Sequence, residues 1–310
     1  MTRPEPSVIR DTLDEFTLEL HKTREPPSKA ATRSPLRQTI RNVAAAALLA
    51  ALALTPLAAD AGDSVNILIL KEHGVGSASA AQEYVDKLMA RVAKQNEWAA
   101  ASGKYVTTRS AGKSYIKESN PHFGILSLGA FLELRSANKL EVVGSAEVSG
   151  GGGRQYFIVS ASQTSLEACK GKVLGTDHGD DARFIDKVVG QSDFVLADFT
   201  VEDTKRPMKT VNAAARGEVE CALIDDAQHA ALAKAEGGSA VKTVWSSKKL
   251  PPMVVVAFPS APAAERRSFQ SNLANVCSGD GASVCKEVGL SSLAKAEESV
   301  YADVIASYNK

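Results

Sequence analysis

Apolar residues fall along this chain in short runs separated by amphipathic stretches. The first run, "NILIL" (Asn66–Leu70), is continuous and β-branched, the pattern of a strand covered on both faces. Tyr84, Val85, Leu88, Met89 and Val92 then recur at helical spacing, so a helix is predicted from a Ser79/Gln82 capping box to Gly103. "YVTTR" (Tyr105–Arg109) and "LEVVGSAEV" (Leu140–Val148) read as strands, and "HFGILSLG" (His122–Gly129) as a buried strand followed by a turn and a short helix. Four consecutive glycines, Gly150–Gly153, mark a flexible joint, and "RQYFIVSA" (Arg154–Ala161) leaves it as another strand.

The same alternation then repeats. "KVLGT" (Lys172–Thr176) reads as a strand. A helix capped by Asp180 carries Phe184, Ile185, Val188 and Val189 and stops at Gly190. "FVLADF" (Phe194–Phe199) reads as a strand, Pro207 opens a helix, and "ECALI" and "VKTVW" (Val241–Trp245) are further strands. "LPPMVVVAF" (Leu250–Phe258) looks like a second extended crossing, and the tail reads as helical over Ala263–Val276 and about Leu290–Tyr308. Strand alternating with helix predicts an α/β fold with largely parallel sheets.

The N-terminal region breaks this pattern. Residues 1–42 are polar and rich in Pro and charge. The apolar run Val43–Leu54 is short for a bilayer, breaks at Thr55-Pro56, and leads to Ala59-x-Ala61. Basic flank, short apolar core and small-residue site are the pattern of a secretory signal peptide, with cleavage expected after Ala61. An uncleaved anchor is the alternative. No Cys stands at the cleavage point, so a lipoprotein is not expected and the mature chain should be periplasmic.

Composition and charge narrow the classes. The chain has 310 residues and is 44% hydrophobic, enough to bury a core in one large domain or two small ones. Lys+Arg and Asp+Glu both number 36, and zero net charge argues against nucleic acid or an anionic membrane as partner. No C-x-x-C pair, G-x-x-x-x-G-K-[ST], H-E-x-x-H or G-x-S-x-G motif occurs, and no cofactor is implied. Export gives the four cysteines a meaning, since an even number in an oxidising compartment reads as disulfides. Three connectivities are possible. Cys277 and Cys285 flank a Gly-rich loop, which makes a local bridge natural, and Cys169 and Cys221 each precede a strand-like run. Neighbouring parallel strands would bring that second pair together.

The order of "NILIL", "FGILSLGAFL", "SLEACKGKVLGT", "VNAAARGEVECALID" and "LPPMVVVAFPSAP" resembles the type 2 periplasmic solute-binding proteins, with the phosphate/phosphonate-binding components of ABC importers as the nearest flavour. The resemblance covers nearly all of the mature chain. It implies two α/β lobes, each a mostly parallel sheet flanked by helices, joined by two crossing strands, with a small-molecule solute in the cleft. It also implies an ABC permease in the inner membrane as partner, a monomer, and no enzymatic activity. Lobe one would be 62–153 plus 252–310, and lobe two 154–251.

Ligands of open α/β sheets bind at the carboxyl ends of strands, near helix N-termini. That places His73, Gly74, Ser77 and Ser79, then Ser127 and Gly129, on the lobe-one side of the cleft. Asp177 and His178 with Asp180 and Asp181, then Asp225 and Asp226, fall on the lobe-two side. Tyr156 on the first crossing could cover the ligand. Asp226 reads equally well as a helix cap. Lobe one keeps the hydroxyls and bare amides an oxyanion needs, over Gly74–Ser79. Lobe two is acidic, which suits a ligand with a cationic or donor-rich end. Two other readings stay open. Asp225 or Asp226 could serve as acid/base with His178 or His229, or His73, His178 and His229 could hold a first-row metal with nearby carboxylates.

Overall fold

A computed structural model describes residues 64–73 and 78–310. The expected signal peptide, and Gly74 and Ser77 of the first cleft loop, lie outside the described residues. None of the described helices is long and apolar enough to cross a membrane.

The first sheet has six strands: β1 (Val65–Leu70), β2 (Ala101–Val106), β3 (Phe123–Leu126), β4 (Glu141–Val148), β10 (Met253–Ala257) and β11 (Leu290–Lys295), in the order β11-β4-β10-β3-β1-β2. The second has β5 (Tyr156–Ser160), β6 (Val173–Thr176), β7 (Thr200–Asp203), β8 (Cys221–Asp225) and β9 (Lys242–Ser246), in the order β7-β6-β8-β5-β9. Helices flank both: α1 (Ala78–Asn96), α2 (Arg109–Ser119), α3 (Leu128–Leu134), α4 (Leu166–Cys169), α5 (Ala182–Phe184, continued as a π-helix over Ile185–Gly190), α6 (Pro207–Arg216), α7 (Asp226–Leu232), α8 (Ala263–Val276), α9 (Gly281–Glu287) and α10 (Ala302–Tyr308). This is a two-lobed α/β fold.

Parallel pairing holds for β2-β1-β3 and for β7-β6-β8. The crossing strands β5 and β10, with β9, β4 and β11, pair antiparallel, so both sheets are mixed. The expectation from "NILIL" is met. Leu68 and Leu70 belong to one apolar core, and Val65, Ile67 and Ile69 to the core on the opposite face. Alternate side chains of a strand point to opposite faces, so a strand apolar at every position is covered twice.

Several local expectations are corrected. The helix expected to run to Gly103 ends at Asn96, and Gly103 sits inside β2 against Val85 and Met89. Ser79 lies in the first turn of α1, and Gln82 turns to β2, donating to Gly103 O and accepting from Tyr105 N. "YVTTR" divides. Tyr105 and Val106 end β2, and Thr108 caps α2 by accepting from Ala111 N. Asp180 caps no helix; Gly179–Asp181 is a 3-10 turn. "FVLADF" is a 3-10 turn over Leu196–Asp198, closed by Leu196 N donating to Asp186 and Val195 N donating to Asp198, and the strand begins at Thr200. At Leu290 the helical spacing misled. Leu290 and Leu293 are buried, but on β11, where a register shift between Leu290 and Ser292 brings residues three apart onto one face.

The joints between the lobes are hydrogen-bonded to each other. Leu250 N donates to Arg154 O at 2.7 Å, and Arg154 Nε donates to Leu250 O at 2.8 Å. Gly150, Gly151, Gly152 and Gly153 all have positive φ, at 81°, 84°, 125° and 75°, where a side chain would be strained. The C-terminal helix α10 packs through Val304 and Tyr308 into the core shared with Phe184, Ile185 and Val189, and Arg183 Nε donates to Tyr308 O.

Both expected disulfides are present. Cys169–Cys221 joins the end of α4 to the start of β8, where β6 and β8 are parallel neighbours. Cys277–Cys285 closes the turn between α8 and α9.

Candidate functional site

A cavity of about 270 Å³ opens between the lobes. Its floor is built from strand carboxyl ends. Lys71, Glu72 and His73 follow β1, Ser127 follows β3, His178 follows β6, and Asp225 ends β8. Gly150–Gly153, Arg154 and Tyr156 supply the wall at the first crossing.

Asp177, His178 and Gln228 form one buried network. Asp177 Oδ1 accepts from Thr210 Oγ1 at 3.0 Å and Gln228 Nε2 at 2.8 Å, and Asp177 Oδ2 meets His73 Nδ1 at 3.1 Å across the cleft. Gln228 Oε1 accepts from Asp225 N, so His178 Nε2, 3.3 Å away, is the donor of that pair. The His73 and His178 rings lie 4.0 Å apart, and Tyr156 meets His178 edge-on. Burial works against charge on His73, but the Asp177 carboxylate outweighs it and raises the pKa. Burial, reinforced by the charge on His73, lowers His178 to about 3. Burial alone would raise Asp177; the His73 hydrogen bond and the two imidazoles hold it well below the usual carboxylate range instead.

A second network surrounds Arg109. Its guanidinium binds Glu72 through Nε and Nη2 at 2.8 and 2.6 Å, Glu133 through Nη1 at 2.5 Å, and Asp181 of the other lobe through Nη2 at 2.6 Å. Ser127 Oγ donates to Glu72 Oε2. Gly129 is a close-approach glycine, since a Cβ there would collide with the Asp181 carboxylate.

The adjacent aspartates resolve as clamps on the crossing strand. Asp225 caps α7 in a capping box with Gln228, and its Oδ2 accepts from Gly153 N at 3.1 Å. Asp226 Oδ1 accepts from Arg154 N at 3.0 Å and Gln155 N at 3.4 Å. Burial, with help from Asp226 and Asp177, raises Asp225 to about 6, although the Gln228 amide pulls it down. The folded value lies above the unfolded one near 3.8, so this contribution is full below about pH 4 and is lost as the pH rises through about 6. The loss is on the order of 2–3 kcal/mol. Asp225→Asn keeps a capping side chain and should flatten the fall in stability between pH 4 and 7. Urea titrations of both forms across that range check this, and parallel profiles would count against it.

Of the other expected site residues, Ser127, Gly129, Tyr156 and His178 line the cavity with His73 and Asp225. Ser79 is exposed on α1. His229 points elsewhere, stacked on Phe157 at 4.2 Å and hydrogen-bonded to Thr243 Oγ1. Asp177 and Asp181 pair with His73 and Arg109, Asp225 and Asp226 accept from backbone amides, and Asp180 is exposed.

Sequence reading passed over Lys71, Glu72, Arg109, Thr210 and Gln228. Lys71 and Glu72 directly follow "NILIL" and were open to the strand-end rule. Arg109 was hidden by assigning its segment to a strand. Lys71 is half-buried, and its ammonium forms no hydrogen bond or ion pair among the described residues. Burial lowers its pKa, partly offset by the Asp225 charge.

No protein-family model matches the chain. No curated protein matches it either. Solved structures do. The binding-protein component of an ABC phosphonate transporter from Pseudomonas aeruginosa aligns with TM-score 0.57 at 11% identity, over 78% of this chain and 84% of that one. PhnD1 from Prochlorococcus marinus in complex with methylphosphonate gives TM-score 0.59 at 11% identity, over 80% and 98%. A Xanthomonas citri protein bound to ATP gives 0.61 at 11%, over 79% and 98%. At these identities the likeness establishes architecture: the chain has the two-lobed fold of the type 2 periplasmic binding proteins.

Proposed function

We propose that this chain is the extracytoplasmic solute-binding component of an ABC importer, and that it holds a small polar solute with an anionic head in the interlobe cleft. The observation that carries the reading is Lys71, a half-buried cation without an ion-pair partner among the described residues, on a cavity it shares with Ser127, Ser149 and the glycine joint. A cation held from water with donor hydroxyls beside it suits a phosphonate, sulfonate or phosphate group. Two phosphonate-related neighbours share the fold, which supports the choice.

The protein acts as a monomer in the periplasm, released after Ala61 and delivering solute to an inner-membrane permease. The two disulfides suit that oxidising compartment. Lobe one is 62–153 with 252–310, lobe two is 154–251, and closure turns about Gly150–Arg154 and Leu250–Pro252. Binding rather than catalysis fits the aspartates, whose carboxylates hold backbone amides of the crossing strand.

Isothermal titration with methylphosphonate, phosphate and an alkanesulfonate, against arginine and a neutral sugar, tests this. At least one anion should bind, and Lys71→Met should weaken it by roughly 30-fold or more, about 2 kcal/mol. Binding of arginine alone, or an anion affinity unmoved in Lys71→Met, would overturn it.

A further inference from the structure

We propose that His73, Asp177 and His178 form a binding site for one first-row divalent cation, with zinc the best fit, that bridges the two lobes at the edge of the cleft. One ligand atom from each of the three lies within 4.8 Å of the others. Zinc bonds of about 2.0–2.1 Å to imidazole and carboxylate give a tetrahedral edge of about 3.3 Å. The His73 Nδ1 to Asp177 Oδ2 separation, 3.1 Å, is already of that size.

The donors are held by a surrounding shell. Thr210 and Gln228 occupy Asp177 Oδ1, which leaves Oδ2 to the site. His178 Nε2 donates to Gln228 Oε1, so Nδ1, without a hydrogen bond among the described residues, carries the free lone pair. A metal-bound histidine with its other nitrogen donating to a fixed oxygen is the usual means of setting tautomer and ring orientation. One side chain, Gln228, thus fixes two of the three donors.

His73, at φ +56°, sets an imidazole from lobe one against Asp177 and His178 of lobe two. His73 and His178 also line the cavity. Coordination takes the place of the His73–Asp177 hydrogen bond, and the proton it carries leaves to solvent. His229, stacked on Phe157, takes no part.

This inference stands apart from the solute reading, and one set of samples separates them. Mature protein without a histidine tag is stripped with EDTA, dialysed against zinc chloride, and assayed by elemental analysis and by titration calorimetry with zinc alone. One zinc per chain is expected, with d–d bands when cobalt replaces it. His73→Ala, at the half-buried edge of the site, should abolish stoichiometric binding while the melting transition persists. Thr210→Val, which removes a hydroxyl bonded to Asp177 and Thr204 but touches no metal donor atom of its own, should weaken zinc binding about 10–100-fold. No zinc bound, or equal binding by His73→Ala, would overturn the proposal. Methylphosphonate titrated into EDTA-treated protein reports on Lys71 and the cleft independently, so either reading can fail alone.

Discussion

Arg109→Met should lower the stability of the folded protein by about 3–5 kcal/mol, the cost of stranding buried carboxylates that have lost their partner. Arg109 joins Glu72 and Asp181, whose side chains are 9% and 10% exposed, to Glu133 at the rim. Both side chains are mostly shielded from water. Burial works against the charge on Arg109 itself, yet Asp181 and Glu72 outweigh it and raise its pKa. For a domain of this size the loss corresponds to a fall in Tm of about 6–20 °C. Arg109→Lys should recover only part of it, because an ammonium cannot hold Glu72 through two nitrogens while reaching Asp181. The decisive control is Glu72→Gln/Asp181→Asn. In that background Arg109→Met should cost much less, since the charges left behind are gone. A loss below about 1 kcal/mol in the native background would mean that solvent screens the cluster, as at a surface pair.

Removing the Cys169–Cys221 bridge, as Cys169→Ala/Cys221→Ala, should cost about 4 kcal/mol by the loop-closure relation, whereas Cys277→Ala/Cys285→Ala should cost about 2.5. The difference follows from sequence separations of 52 and 8 residues. The longer loop gives the unfolded chain more freedom when it is cut. Cys169 and Cys221 are also fully buried in the core shared by both lobes, so truncation there adds a packing loss. Urea titrations of the two double variants should rank in that order. Equal losses would show that strain or residual structure in the unfolded chain, rather than loop entropy, sets the value.

The two networks have different consequences for the cleft. Arg109–Asp181 and His73–Asp177 both link lobe one to lobe two directly. Each contact ties a lobe-one side chain to a lobe-two carboxylate.

How much of this was written in the sequence depends on the range of the interaction. Strand cores were legible, because "ILIL", "FGIL" and "MVVVA" are short runs without polar side chains, the pattern of strands covered on both faces. The disulfide pairs were legible for a similar reason: one is local, and the other follows once β6 and β8 are neighbours. The strand-end rule and the first crossing together named six residues that line the cavity. Ambiguity entered where two local patterns agree over a few residues. Leu290 and Leu293 are three apart in a helix or across a bulge, and only pairing with β4 decides. The partners of charged groups were decided by tertiary structure alone. Asp177 finds His73 at a separation of 104 residues, and Asp181 finds Arg109 at 72. Carboxylates in sequence look like a negative wall, yet a buried charge persists in a fold only with a donor beside it, and that donor can come from any part of the chain. The sequence alone therefore determined the layered architecture and the location of the cleft. The folded chain decided which of the cleft's charges are already answered and which, like Lys71, still face the cavity.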